Sequence, residues 1–91
     1  MATQKTKINT QVTSYTFEVV IEPDEDKWAA YCPALLAKGA STWGDTKEEA
    51  LHNIQEVLQM TVESLHEHGE SIPQVKGITI SSRPLVTVTL P

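Results

Sequence analysis

The sequence predicts a small α+β domain of βββαβ order, a mainly antiparallel sheet with one long helix packed on one face. Three observations predict it. A segment of alternating polarity near the start is joined by a short charged turn to a second strand-like run. A capped, broadly amphipathic helix fills the middle, and another alternating segment closes the chain.

In the first segment Tyr15, Phe17, Val19 and Ile21 alternate with Thr16, Glu18 and Glu22, the period of a strand with one buried face. Val20 breaks the alternation and makes the second face partly apolar. Pro23, Asp24, Glu25 and Asp26 form a polar turn, and residues 28–32 read as the second strand of an antiparallel hairpin. Pro33 ends that strand because it lacks a ladder donor. A loop over 34–39 leads to a short third strand at 40–43.

The helix start is the strongest local signal. Thr46 is placed to accept from the backbone N–H of Glu49 while Glu49 reaches back to the N–H of Thr46, which is a capping box. Ala50, Leu51, Ile54, Val57, Leu58, Val62 and Leu65 follow at spacings of three and four, one apolar stripe. Gly69 supplies a left-handed residue to end the helix, and Pro73 lies beyond. A helix over 46–68 would be about 33 Å long, enough to cover one face of a small sheet. Residues 78–80 are ambiguous between a strand and a crossing segment. Val86, Val88 and Leu90 alternate with Thr87 and Thr89 as the last strand. Laid beside the first strand in parallel, it would make the helix a right-handed crossover.

The 91 residues allow one domain: a loose, polar N-terminal arm over 1–13, then a single domain over 14–91. No run approaches the ~20 apolar residues of a membrane helix, and the N-terminus has no secretory pattern. Cys32 is the single cysteine, so no internal disulfide is expected, and the expected compartment is the cytoplasm. The formal charge is −5, with seven scattered basic residues, which disfavours direct nucleic-acid binding and suits a basic protein partner.

One helix covers one sheet face, so Val20 and Tyr31 are expected to lack packing in a monomer. An exposed apolar face marks an interface, and a homodimer or tetramer is expected, with Met60 on the helix as a further candidate contact. The hairpin-tip acids Asp24, Glu25 and Asp26 are either a solvated turn or an acidic knob for a basic partner. Trp28 and Trp43 are core residues or interface anchors. His66 and His68 diverge by about 200° around the helix and His52 is more than three turns away, so no metal site is expected. Cys32 reads as a small buried residue rather than a nucleophile. No cofactor is expected.

The run from Tyr15 to Ile21, the turn Glu22 to Asp26, the Trp28 strand, Cys32-Pro33, and Gly44-Asp45-Thr46-Lys47-Glu48-Glu49-Ala50 resemble the HicB-like antitoxin domain. Asn53, Gly69 and Ile72-Pro73 are similar too. The resemblance implies a partial ribonuclease H-like βββαβ fold and a protein-binding role: neutralising a small basic HicA-like mRNA interferase toxin by occluding it. The chain departs from the family in the loop after Pro33, where relatives show a Pro-Gly-Cys-like turn. It also shows no second, DNA-binding segment before Pro91, so autorepression by this chain alone is not expected. Two alternatives stand beside the antitoxin reading. One is an orphan structural or regulatory homo-oligomer, since many single-domain relatives have no known toxin. The other is a divergent nuclease, against which the last strand counts, having no Asp or Glu to offer Mg²⁺. The expectation is therefore a protein without enzymatic activity.

Overall fold

The computed structural model describes residues 13–73 and 83–90. The elements are β1 (Thr13–Glu18), β2 (Val20–Asp24), β3 (Lys27–Tyr31), a 3-10 helix (Pro33–Lys38), β4 (Ser41–Gly44), α1 (Lys47–Glu67) and β5 (Leu85–Leu90). The first expected strand is thus two ladder segments joined through Val19, and the strand–strand–strand–helix–strand order holds. Most of the expected arm and all of residues 78–80 lie outside the described residues, and β1 already begins at Thr13.

Val19 is where the chain changes partners. On one side of it β1 pairs with β5, Phe17 opposite Val86 and Tyr15 opposite Val88. On the other side β2 pairs with β3, and β3 with β4. The Val19 N–H itself donates to the Pro84 carbonyl at 3.0 Å, and the side chain is fully buried.

All three ladders are antiparallel, so β5 does not run parallel to β1 as the crossover reading required. β4 runs in the direction of β2, which follows β1 through Val19, and a direct helical return from β4 would deliver a strand parallel to them. Residues 70–83 intervene instead. About 14 residues reach ~45 Å when extended, more than the ~31 Å length of α1, so the chain has the reach to enter the ladder from the opposite end.

The strands form two sheets, β1–β5 and β2–β3–β4, and the core lies between them and α1. Phe17, Val19, Ala30, Val86, Val88 and Leu90 meet Ala50, Ile54, Leu58, Val62 and Leu65, all buried. Leu51 and Val57 flank the stripe and are half-buried. Two helix amides fasten the layers: Asn53 Nδ2 donates to the Trp43 carbonyl at 2.7 Å, and Gln59 Nε2 to the Thr89 carbonyl at 3.1 Å.

The helix termini follow local chemistry, with one shift. Thr46 Oγ1 accepts from the Glu49 N–H at 3.0 Å, as expected. Glu49 Oε1, however, accepts from the Asp45 N–H rather than that of Thr46. The long Glu49 side chain passes the cap residue and satisfies the donor before it. At the other end Gly69 adopts φ 68°, its N–H bonds the His66 carbonyl, and the Glu70 N–H bonds the Leu65 carbonyl at 2.8 Å. That pair of bonds is a Schellman closure.

The segment read as a loop after Pro33 is largely a 3-10 helix kinked at Leu35. Proline presets φ for the first position of such a turn, and Gly39 at φ 84° closes it. The kink sends Leu35 into the core, 1% exposed.

Candidate functional site

The alternation of the strands sorts the candidate residues. In the register of β2, β3 and β4, Ile21, Ala30 and Thr42 lie in one row, and Pro23, Trp28 and Gly44 in another. Gly44 fixes their direction: a Cβ there would fall on the backbone of Ala50, so this face meets α1. Val20 opposite Tyr31, and Glu22, Ala29 and Trp43 in line, therefore form the outer face.

The two tryptophans are separated by this parity. Trp28 is half-buried on the helix side, with the Lys47 ammonium 5.3 Å from its ring centroid. Trp43 is on the outer face and 53% exposed. Its indole crosses the small Ala29, and Nε1 donates to Asp24 Oδ2 at 3.0 Å. Trp43, Asp24, Glu25, Asp26 and Lys27 line an open depression of about 550 Å³ at the hairpin end. The structure thus brings together four of the five partner-binding candidates, Asp24, Glu25, Asp26 and Trp43, and leaves Trp28 apart.

The hairpin tip is a two-residue turn, Glu25 and Asp26, between the paired Asp24 and Lys27. Glu25 sits at φ 58°, a left-handed conformation that usually falls to glycine or asparagine. Lys27 Nζ is 2.6 Å from Asp45 Oδ1, and that hydrogen bond and charge hold the Lys27 ammonium above its ordinary pKa. Among the described residues, Glu22, Asp24, Glu25 and Asp26 enter no ion pair.

Val20 and Tyr31 are half-buried cross-strand partners on the outer face. Met60, 62% exposed, lies on α1 in the opposite layer, beside Val57, Thr61 and Ser64. The three oligomer candidates do not form one patch. Glu22 and Ala29 complete the outer face and were absent from the candidate set. Gly44 was the signal that would have found them: a glycine just before a helix cap, packed under that helix, puts its neighbour Trp43 on the far side.

The remaining reactive groups are placed as follows. Cys32 is fully buried, and burial pushes its thiol pKa up. His52 Nε2 is 3.5 Å from Glu56, and His68 Nδ1 is 2.7 Å from the Ser64 carbonyl. Among the described residues no three His, Cys, Asp or Glu side chains are grouped to hold a metal ion, and no helix is long and apolar enough to cross a membrane.

No protein-family model matches the sequence. A UPF0150 protein of Thermoplasma acidophilum is 44% identical over 59 residues, covering 64% of this chain and 83% of the relative. A UPF0150 protein of Synechocystis sp. is 38% identical over 61 residues, covering 66% and 75%. Among solved structures, the N-terminal domain of the Burkholderia pseudomallei antitoxin HicB superposes with a TM-score of 0.60 at 20% identity, covering 84% of this chain and 98% of that domain. The chain is therefore a member of the UPF0150 family, built on the HicB-like fold that its motifs implied.

Proposed function

We propose that this chain is an antitoxin-type protein that binds a small basic HicA-like mRNA interferase in the cytoplasm and neutralises it by occlusion, catalysing no reaction itself. The observation that carries this reading is the fold it shares, over 84% of its length, with the N-terminal domain of an antitoxin. The formal charge of −5 supports it, because association with a basic partner gains from opposite net charge.

The placement of carboxylates speaks against the nuclease alternative. Glu18 lies 3.6 Å from Arg83, and Glu22 and Asp24 are on the outer sheet face. The acids of α1 belong to the other layer, and β5 contributes none. Metal-assisted phosphodiester cleavage needs oxygen ligands that converge on a shared ion.

The test is co-expression with a basic open reading frame encoded beside this gene. The expected result is relief of the neighbour's toxicity and co-purification of a complex whose mass, by light scattering, includes both chains. A harmless neighbour that does not co-purify would sink the reading. A stable homo-oligomer in its place would support the orphan structural alternative.

A further inference from the structure

We infer that the outer face of the β2–β3–β4 sheet is a docking surface for an arginine-bearing segment of a basic protein partner, with Trp43 as its aromatic anchor and Glu22 and Asp24 as its charge-matching row. This rests on the protein-binding reading above and adds the surface and its chemistry.

The inner face is consumed by the core, whereas among the described residues no second layer lies over Val20, Ala29, Tyr31 and Trp43 on the outer face. Trp43 is held in place although exposed. Its hydrogen bond to Asp24 fixes the indole across Ala29, so little side-chain freedom remains to be lost on binding. An indole face beside a carboxylate suits guanidinium, which is planar, stacks on aromatic rings and donates in a fork. Asp24 Oδ2 is taken by the indole N–H, which leaves Oδ1 as an acceptor directed by the same anchor.

Charge selects the occupant. Glu22, Asp24, Glu25 and Asp26 are in no ion pair among the described residues, while Lys27 is engaged by Asp45. A two-fold contact between copies presents the same patch from both sides, so these carboxylates would oppose one another across it. A nucleic acid is repelled by them. A basic protein surface is complementary to both the aromatic row and the acids.

The experiment uses the full chain carrying Trp28→Phe, which leaves Trp43 as the sole tryptophan of the two. Its emission is followed on addition of an alternating Arg-Val peptide and, in parallel, its Glu-Val counterpart. The expected result is a saturable change with the arginine peptide alone, weakened about tenfold or more by Glu22→Gln with Asp24→Asn. Those two surface substitutions leave the core untouched, and circular dichroism checks each variant's fold. No saturable response, an equal response in the double variant, or a homodimer whose formation shields Trp43 would each overturn the assignment.

A second arm compares toxicity relief by wild type, the double variant and Trp43→Ala. Equal relief by all three removes the outer face while leaving the antitoxin reading in place. Failure of the wild type to relieve toxicity removes that reading, and the peptide titration then decides the surface alone.

Discussion

Adding one methyl group at Gly44, a buried position pressed against α1, should destabilise this domain measurably. A Cβ built there falls on the Ala50 backbone nitrogen and lies 2.8 Å from the Ala50 Cα and from the Glu49 carbonyl carbon. These are backbone atoms in the first turns of α1, so no side chain can rotate away. Either β4 or the start of α1 must move. Overpacking of this kind costs about 1–3 kcal/mol. Retreat of the helix start also strains the Thr46 cap and the bond from the Asp45 N–H to Glu49, a further ~1 kcal/mol. The sum, roughly 2–4 kcal/mol, lowers the Tm of a domain this size by roughly 8–32 °C. Thermal unfolding of Gly44→Ala by circular dichroism at fixed protein concentration measures it. Thr46→Ala is the control for the cap alone, with an expected loss of about 1 kcal/mol. If Gly44→Ala melts within about 3 °C of wild type, where 1 kcal/mol is worth roughly 4–8 °C, the close approach of β4 and α1 is not rigid and the reasoning fails.

Three further outcomes are expected. Glu25→Gly removes a side chain from a left-handed position and should stabilise the fold by about 1 kcal/mol, while weakening any complex formed at the hairpin end; a lowered Tm would show that the tip does not hold φ 58° in solution. Cys32 is buried with its thiol pKa raised by desolvation, so Ellman's reagent should react only as fast as the protein unfolds; prompt labelling of native protein would contradict its burial. Lys38, 2.9 Å away, holds the Glu70 carboxyl below the ordinary carboxylate range by hydrogen bond and charge. The stabilisation from this pair is present above that range and lost as pH falls through the lowered folded value, and salt weakens it. A carboxyl NMR titration should show the Glu70 midpoint rise in Lys38→Met, and an unchanged midpoint would remove the pair.

The features legible in the sequence are those set by local period and local chemistry. The Thr46 cap, the stripe from Ala50 to Leu65 and the turn at Gly69 each depend on residues within a few positions of one another. The alternation of β1 and β5 also reads directly, because a side chain's face follows from its parity. The direction of β5 does not, since either direction preserves that alternation and the intervening segment is long enough for both. The site is legible only in part for a related reason. Asp24, Glu25 and Asp26 are neighbours in sequence, but Trp43 joins them through two strand registers and a hydrogen bond across 19 positions. One residue of register slip would have sent Trp43 to the core and Gly44 outward.

The same layering bears on the proposed docking surface. A second layer could form on the outside of α1 or on the outside of the sheet. The exposed side of α1 carries Glu48, His52, Gln55, Glu56, Met60, Glu63 and Glu67, long side chains whose ordering is costly and whose local pairs, such as His52 with Glu56 at 3.5 Å, are solvated. Met60 stands nearly alone there as an apolar contact. The outside of the sheet offers the opposite balance. Val20 is stiff at χ1, Tyr31 and Trp43 have two rotatable bonds each, and the indole of Trp43 is already tethered. Its apolar residues lie in adjacent register positions, so a partner can bury them together. Folding leaves the helix exterior to water, and the sheet exterior is the surface on which association costs least order for the apolar area it covers.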